Sequence, residues 1–340
     1  MFEKSSLRTR LSFYLAIKQL GGGTLTLRAN ELHLGSGGET LEDTAKILST
    51  YGDGFMLRTD KDKKLENFKK FLKIPVINGL SPSSHPTQVL SDIFTVEEIK
   101  KKPISKMNIA WVGDSNNVLN SLIAASIKFN FQLSIGCPKK YYPSKQVLDW
   151  VKSFKNKVNI FDNAVKAVSK ADVIFSDKVI SLNDKVNKKK KLNDFKNFRI
   201  TKKLMEKAKS DCIFLHCLPR GSEVEEEVFF SKQSKVWQRC GTGTSLTRIS
   251  MMAASATLVH RMRKRLLACE TSVRCRADSQ RRTRHCSSSE RMLSSSRLPG
   301  ADMTLTSLTP RCAAMYFPPV FMRVFVDSEL PCWWRRGGEE

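Results

Sequence analysis

The sequence predicts an α/β fold made of two doubly wound, parallel-sheet domains, and three observations lead to this prediction. Short apolar segments alternate with amphipathic segments as far as Trp237, which is typical of repeated βαβ units. A Lys-Lys-Pro linker at Lys101–Pro103 interrupts this alternation. A new strand and the polar turn Gly113–Asn117 then begin a second series. We therefore expect domains at residues 1–103 and 104–238, with ligands at the carboxyl ends of the strands.

The first domain is predicted to begin with a helix and to contain three strands. Its first helix begins near Ser6 and ends at the glycines Gly21–Gly23, because Gly favours helix C-termini. Thr40 and Asp43 resemble a capping box and mark the start of the second helix. Two further helices are expected at 63–72 and 85–100, and strands are expected at 24–27, 54–58 and 74–80.

The second domain is predicted to contain five strands that alternate with helices. Its apolar segments are short and are separated by amphipathic segments, as parallel sheets require. The expected strands are 107–112, 132–136, 158–161, 172–176 and 212–216, and the expected helices are 118–129, 144–154 and 164–169.

Length and composition indicate a globular protein. A chain of 340 residues is long enough for two domains with cores, and its content of 41% hydrophobic and 27% charged residues is unlike that of disordered chains. It contains no apolar run of roughly 18 residues, the length that crosses a bilayer. We expect no membrane partner and a cytoplasmic location.

The formal net charge of +25 first suggests a nucleic-acid partner, but the distribution of the charge weakens this hypothesis. Residues 1–238 contain 35 Lys and 6 Arg, mostly on polar faces of predicted helices, which we interpret as solvated surface. The densest run, Lys188–Lys191, interrupts a helix and loop, and a phosphate-binding role for it has no support in the sequence. We expect no nucleic-acid partner. The alternative is a DNA-binding tail at 239–340, which salt-dependent binding would reveal.

Residues 239–340 differ from the rest of the chain. They contain 1 Lys and 16 Arg, together with six of the nine Cys, and they have neither helical nor strand periodicity. Their Cys spacing matches no zinc pattern, so no metal site is predicted. The change in composition suggests a different reading frame or a joined foreign segment. A disordered basic tail is the alternative, although the Trp, Cys and Phe content is unusual for disorder.

Three short segments carry candidate chemistry. Ser6–Arg10 lies where a loop enters a helix, and its hydroxyls, guanidinium groups and free N–H groups suit an anion. His85–Gln88 begins another helix and offers an imidazole and an amide. His216–Pro219 ends a strand and offers the Cys217 thiol. Each also has a structural interpretation: a capped helix with surface arginines, a helix-capping histidine and a buried small apolar cysteine, respectively.

Taken together, the motifs resemble those of a known family. Phe2–Arg10 resembles the phosphate-binding segment of carbamoyltransferases, and Asn78–Leu80 with His85–Gln88 resembles their carbamoyl-binding segment. Trp111–Asn117 and His216–Pro219 are similar to the ornithine branch in particular. Aspartate carbamoyltransferases have Pro at the position of Cys217. The resemblance to ornithine carbamoyltransferases covers residues 2–237 in family order.

The resemblance implies a role for individual residues. Carbamoyl phosphate would be bound by Ser6, Leu7, Arg8, Thr9, Arg58, His85, Pro86, Thr87, Gln88, Cys217 and Leu218. Ornithine would be bound by Asn117, Asp177, Ser181 and Leu182. Arg58, His85 and Cys217 would be the catalytic residues.

The implied reaction moves a carbamoyl group from carbamoyl phosphate to the side-chain amine of L-ornithine, which gives L-citrulline and phosphate. It belongs to arginine biosynthesis or to the urea cycle, calls for no metal or organic cofactor, and implies a homotrimer. One alternative is a sister carbamoyltransferase that acts on putrescine or an acylated ornithine. Asp177 and Ser181 suit a free amino acid better.

The chain departs from the family pattern in three places. The helix and strand that precede the Phe2–Arg10 segment in the family are absent, so we expect a truncated N-terminus. The substrate loop, usually Ser-Met-Gly, is Ser181–Asn183 here. After Gln238 a phosphate-facing arginine and an interdomain helix are missing. The fold is thus expected to be incomplete at both ends, and the second alternative for function is an inactive fragment.

Overall fold

The structure, a computed structural model, describes residues 1–28, 38–152, 157–180 and 187–238. In these ranges helices alternate with parallel strands, which confirms the predicted α/β class. The helices are α1 (Leu7–Gln19), α2 (Leu41–Tyr51), α3 (Asp62–Phe71), α4 (Pro86–Lys100), α5 (Asn117–Lys128), α6 (Lys145–Lys152), α7 (Ala164–Val168), α8 (Lys188–Asp194), α9 (Lys202–Met205) and α10 (Glu226–Phe229). The strands are β1 (Phe55–Arg58), β2 (Val76–Leu80), β3 (Asn108–Val112), β4 (Gln132–Gly136), β5 (Val158–Phe161), β6 (Val173–Asp177) and β7 (Ile213–Cys217).

Five strands form a parallel sheet in the order β5-β4-β3-β6-β7. The chain begins this sheet in its middle with β3, adds β4 and β5 on one side, and then crosses to add β6 and β7 on the other. In doubly wound sheets such a reversal leaves a crevice beyond the carboxyl ends of the two strands that flank it, here β3 and β6, and ligands bind there. In this sheet that position lies beyond Val112 and Asp177, the last residues of β3 and β6.

The strands of the five-stranded sheet are apolar because helices cover them. Ile109–Val112 of β3 and Val173–Ser176 of β6 are buried along their whole length. Burial on both faces removes the alternation of apolar and polar residues that a half-exposed strand shows. The core therefore lies beneath the crevice and supports the loops that follow the strands.

A smaller sheet pairs β1 with β2 in parallel. Phe2 lies beside β1 and makes one bridge to Arg58 and one to Arg28. A hydrophobic cluster supports this two-stranded sheet from α2, α3 and the N-terminus, and it contains Met1, Ala45, Phe55, Leu57, Phe68 and Leu72. The arrangement brings Arg58, the last residue of β1, close to the start of α1.

The strand predicted at 24–27 is wrong. These residues form no strand, and the only ladder contacts nearby are the Arg28 bridge and a 3.0 Å hydrogen bond from the Phe2 N–H to the Leu27 carbonyl, within the described ranges. A strand needs several extended partner residues. Here Phe2 is the one residue that pairs with this segment in the described ranges. The chain bends at Glu3 and then enters α1, so the extended pairing stops.

Side-chain caps begin the first two helices where the sequence predicts them. The Ser6 hydroxyl accepts from the Thr9 N–H at 3.3 Å, and the Thr40 hydroxyl accepts from the Asp43 N–H at 3.1 Å. The capping box at Thr40 is incomplete. The Asp43 carboxylate accepts from the Thr40 hydroxyl at 2.6 Å, whereas in a complete box it would accept from the Thr40 backbone N–H. Even so, each cap satisfies one helix N–H that has no partner within the helix.

The lysine run at Lys188–Lys191 does not interrupt a helix but begins one. The Asn187 side chain caps α8 by accepting from the Lys189 and Lys190 N–H groups at 3.1 and 3.3 Å. Lys188, Lys189 and Lys190 are exposed, as expected for a solvated surface. Lys191 is 4% exposed, so the surface interpretation is wrong for this residue.

Candidate active site

Arg8 connects the start of α1 to the loop after β7. Its Nη2 donates a hydrogen bond to the Leu218 carbonyl, which is 210 residues away along the chain. Leu7 is the first residue of α1, so its N–H belongs to the helix turn whose donors are free to bind an anion. The contact therefore brings residues 6–9 beside residues 217–218.

Arg58 ends β1 beside the same helix turn. Its Nη1 donates to the Thr9 hydroxyl at 3.3 Å, while its buried Nε has no hydrogen-bond partner among the described residues. Burial lowers the pKa of the Arg58 guanidinium, the nearby Arg8 charge lowers it further, and Cys217 opposes both. An arginine stays protonated despite such a shift. Two neighbouring cations, one with an unused donor, favour an anionic ligand.

His85 follows β2 and occupies the N-cap position of α4. No side-chain hydrogen bond from His85 caps α4 within the described ranges. Its backbone N–H donates to the Ser121 hydroxyl of α5 at 2.8 Å, and its Nδ1 lies 3.3 Å from the Thr87 hydroxyl. Pro86, the first residue of α4, lacks the N–H that a first helical turn would leave unbonded.

Gln88, in the first turn of α4, contacts Cys217 at the end of β7. Its Nε2 donates to the buried Asp92 carboxylate at 3.0 Å, and its Oε1 accepts from the Cys217 thiol at 3.6 Å. Cys217 is only half-buried, unlike Cys137 and Cys212. The interpretation of Cys217 as a buried small apolar residue is therefore wrong.

Asn117 begins α5 after the carboxyl end of β3, and Asp177 is the last residue of the neighbouring strand β6. Asn116, which caps α5, donates from Nδ2 to Asp177 Oδ2 at 2.7 Å. Asn117 donates from Nδ2 to the Ser81 carbonyl at 2.9 Å, which connects the five-stranded sheet to the loop after β2. The two remaining residues predicted to bind ornithine, Ser181 and Leu182, lie outside the described residues.

Several residues that shape the site were not predicted from the sequence. Asn116, Asp92 and Ser121 each hold a predicted site residue in place through a hydrogen bond. Asn116 carries a local signal, because Asn is a favoured N-cap residue. The others carry none, since their partners are set by how helices and strands pack.

The site combines cationic, amide and carboxylate groups in one crevice. Arg8, Arg58 and the α1 N-terminus suit a phosphate, whereas Asp177 suits an ammonium group. No group of three or more potential metal ligands from His, Cys, Asp and Glu occurs in the part of the chain that the structure describes. Nor does any helix in those ranges have both the length and the apolar content to span a membrane.

Comparison with known protein families shows which family the chain belongs to. The family model described as "Aspartate/ornithine carbamoyltransferase, carbamoyl-P binding domain" matches residues 1–98. Its companion, the "Asp/Orn binding domain", matches residues 105–252. The chain belongs to the aspartate/ornithine carbamoyltransferase family. The second match of this carbamoyltransferase runs past Gln238, where the motif resemblance ends, and residues 253–340 lie outside both matches.

The carbamoyltransferase is similar to relatives named ornithine carbamoyltransferase. It is 42% identical over 241 residues to that of Methanocorpusculum labreanum, which covers 70% of this chain and 78% of the relative. It is 43% identical over 243 residues to that of Caldicellulosiruptor saccharolyticus, with the same coverage of 70% and 78%.

Solved structures of ornithine carbamoyltransferases match the fold of this carbamoyltransferase. The anabolic enzyme of Campylobacter jejuni matches with a TM-score of 0.69 and 35% identity, over 75% of this chain and 86% of that one. The enzyme of Pyrococcus furiosus matches with a TM-score of 0.67 and 38% identity, over 73% of this chain and 80% of that one.

Proposed function

We propose that this site transfers a carbamoyl group from carbamoyl phosphate to the side-chain amine of L-ornithine, giving L-citrulline and phosphate. Family membership and the relatives named ornithine carbamoyltransferase support this reaction. The observation that carries it is the set of contacts around Arg58, which meets Thr9 directly and lies close to Arg8 and Cys217. These contacts bring the phosphate-binding segment beside Cys217 of the ornithine-branch motif, and the 3.6 Å contact of Cys217 with Gln88 adds the carbamoyl-binding segment.

The phosphate half of carbamoyl phosphate binds at the start of α1. The Ser6 and Thr9 hydroxyls, the Leu7 N–H and the Arg8 guanidinium donate hydrogen bonds to its oxygens. Arg58 bridges the phosphate and the carbonyl oxygen, and its buried Nε supplies a donor that is unused among the described residues. The positive end of the α1 dipole adds to the attraction.

The carbamoyl half binds at the start of α4. His85 donates to the carbonyl oxygen and Gln88 holds the carbamoyl nitrogen, while Pro86 and Thr87 set the geometry of the turn. When the amine attacks, negative charge develops on the carbonyl oxygen. Arg58 and His85 supply donors at that oxygen, and such stabilisation is usually the largest single contribution to catalysis.

Ornithine binds across the ends of β3 and β6. The Asp177 carboxylate holds the α-ammonium group and the Asn117 amide holds the α-carboxylate, while Ser181 and the Leu182 backbone complete this end of the site. The side-chain amine then lies beside Cys217 and the Leu218 carbonyl. Binding both substrates in one crevice supplies proximity and orientation.

The reaction balances without a cofactor. The lone pair of the neutral amine forms a bond to the carbonyl carbon, the tetrahedral intermediate collapses, and the carbon–oxygen bond to phosphate breaks. The leaving phosphate takes the proton from the amine. Arg8 and the α1 N-terminus stabilise the phosphate as it leaves.

A comparison of three amines tests this function and its alternatives. The purified chain is incubated with carbamoyl phosphate and L-ornithine, putrescine or N-acetyl-ornithine, and the carbamoylated products are measured. We expect L-citrulline to be the main product. A larger yield from putrescine or N-acetyl-ornithine indicates the sister-enzyme alternative. If no amine is carbamoylated although carbamoyl phosphate binds, the inactive-fragment alternative is correct.

We also propose that the chain forms a homotrimer. The family resemblance implies it, and an exposed apolar stripe on α1, formed by Leu7, Leu11, Tyr14 and Leu15, supports an interface between copies. Light scattering that gives three times the chain mass is the expected result, and a monomer mass would contradict it. The cytoplasmic location, the place in arginine biosynthesis or the urea cycle, and the domain limits stay predictions.

A further inference from the structure

The lysine run that begins α8 contains one residue that differs from the others. Lys191 is buried, and its Nζ lies 2.6 Å from the Asp114 carboxylate in the turn after β3. We propose that Lys191 and Asp114 form a positioning pair that holds the turn Gly113–Asn117 in the shape that binds the amino-acid substrate. The inference rests on the proposed function, since it assigns the pair to the ornithine end of that site.

The turn Gly113–Asn117 carries the groups that hold ornithine. Asn117 belongs to it directly, and Asn116 reaches from it to Asp177 with the 2.7 Å hydrogen bond. At the other end the Asp114 carbonyl accepts from the indole N–H of the buried Trp111 at 3.2 Å. Asp114 therefore lies between the rigid strand β3 and the substrate-binding amides. A shift of its side chain moves the amides with it.

Helix α8 is a fixed support for Lys191. One turn further along, Asp194 accepts from the Tyr141 hydroxyl at 2.8 Å and lies 3.3 Å from the Lys140 ammonium group. The Tyr141 ring also lies 5.6 Å from the Lys191 Nζ and 4.9 Å from the Phe195 ring. Contacts on two successive turns prevent α8 from sliding. The Lys191 ammonium group is thus held at a defined point beside the turn.

The burial of the pair gives it a role that a surface ion pair lacks. The side chains of Lys191 and Asp114 are 5% and 15% exposed, so water screens them little. Without Lys191, the Asp114 carboxylate would remain partly buried without its cation. The N–H groups of Val118 and Leu119 at the start of α5 donate to Asn116 Oδ1 at 3.0 Å each, and a carboxylate without its cation would compete with Asn116 for them, since a helix N-terminus attracts negative charge. The Asp114 side chain would turn towards them and displace Asn116 and Asn117.

The proposal predicts a loss that is specific to one substrate. In Lys191→Met, we expect the KM for ornithine to rise roughly tenfold, because the α-carboxylate and α-ammonium contacts are misplaced. The KM for carbamoyl phosphate should stay within about twofold, because Arg8 and Arg58 lie on other segments. Hydrogen exchange of the peptide that contains residues 113–119 should become faster.

Two further variants serve as matched comparisons. Lys190→Met removes an exposed lysine from the same run and should change neither KM nor exchange. Lys191→Arg keeps the charge beside Asp114 and should restore most of the ornithine KM. If Lys191→Met raises both KM values equally, or leaves ornithine KM and exchange as they are, the positioning role is wrong.

A double variant covers the case in which Lys191→Met folds poorly. Lys191→Met combined with Asp114→Asn leaves no stranded charge, so it should regain stability but keep the raised ornithine KM. A double variant with the original ornithine KM would overturn the proposal. Hydrogen exchange needs no turnover, and calorimetry measures ornithine binding without it. Absence of citrulline from the unsubstituted chain therefore counts against the proposed function alone, whereas unchanged exchange in Lys191→Met counts against the positioning pair.

Discussion

Arg8 of α1 donates a hydrogen bond to the Leu218 carbonyl in the loop after β7, across a separation of 210 residues in the sequence. The guanidinium belongs to the proposed phosphate site and the carbonyl to the proposed amine site. Arg58 and Cys217 lie close to the same contact. The contact between Arg8 and Leu218 therefore joins the proposed phosphate site to the proposed amine site. Variants of the surrounding groups test this arrangement.

Arg58 is expected to be essential for transfer. Arg58→Met removes a donor to the developing oxyanion and leaves Thr9 without its 3.3 Å contact, so kcat should fall about 100-fold to 1,000-fold. Citrulline formation under saturating substrates measures this loss. Arg199→Met, which replaces an exposed arginine bonded to the Ser222 carbonyl, should retain activity. Equal activity of the two variants would contradict the role of Arg58.

Cys217 is expected to be the most reactive of the three cysteines in the described part of the chain. Burial raises the pKa of both Cys137 and Cys212 to about 12, so their thiolate populations are negligible at pH 8. Cys217 is half-buried and borders the crevice. Iodoacetamide at pH 8, followed by peptide mass spectrometry, should label Cys217 before Cys137 and Cys212, and carbamoyl phosphate should slow the labelling of Cys217. Faster labelling of Cys137 or Cys212 would show that the crevice is closed to the reagent.

Asp177 is expected to determine affinity for the amino-acid substrate. Asp177→Asn removes the charge that holds the α-ammonium group, and a hydrogen bond to a charged group contributes about 1.5–3 kcal/mol. The KM for ornithine should therefore rise roughly 10-fold to 100-fold, with little change in the KM for carbamoyl phosphate. The exposed Asp162, which pairs with Lys139 at 3.3 Å, gives the control variant Asp162→Asn. Similar ornithine KM values in both variants would rule out this role.

Asp172 is expected to stabilise the fold rather than the site. The buried carboxylate accepts from Lys102 and Lys209 at 2.9 Å each and from the Asn108 N–H at 2.8 Å. Burial alone would raise the pKa of Asp172, but these hydrogen bonds outweigh burial and lower it. Asp172→Asn should reduce the free energy of unfolding by about 2 kcal/mol, measured by urea denaturation.

The pH dependence of stability follows from the same carboxylate. Because the folded-state pKa of Asp172 is lowered, its contribution is complete above the unfolded value of about 3.9 and is lost as pH falls through the folded value. Stability curves of the original chain and Asp172→Asn should therefore converge in acid. Asp162→Asn, at an exposed pair with Lys139, should leave the curve almost unchanged. A constant difference at every pH would refute the linkage.

Local signals along the chain were enough to predict the order and type of most elements. The capped starts of α1 and α2 depend on Ser6 and Thr40, and the bounds of β4 follow from five residues between turns. The segment 24–27 shows the limit of local signals, since a strand forms only beside an extended partner. The motif resemblance also identified the family before any fold was known.

Which side chains contact one another depends on the folded arrangement of distant segments. The contacts of Arg58 with Thr9, Gln88 with Cys217 and Asn116 with Asp177 join segments far apart in the chain, so packing and strand order set them. Four identical lysines likewise give no local sign that Lys191 is buried against Asp114. The physical reason is the same in each case. Burial and hydrogen bonding depend on the neighbour in space, which the neighbours in sequence do not specify.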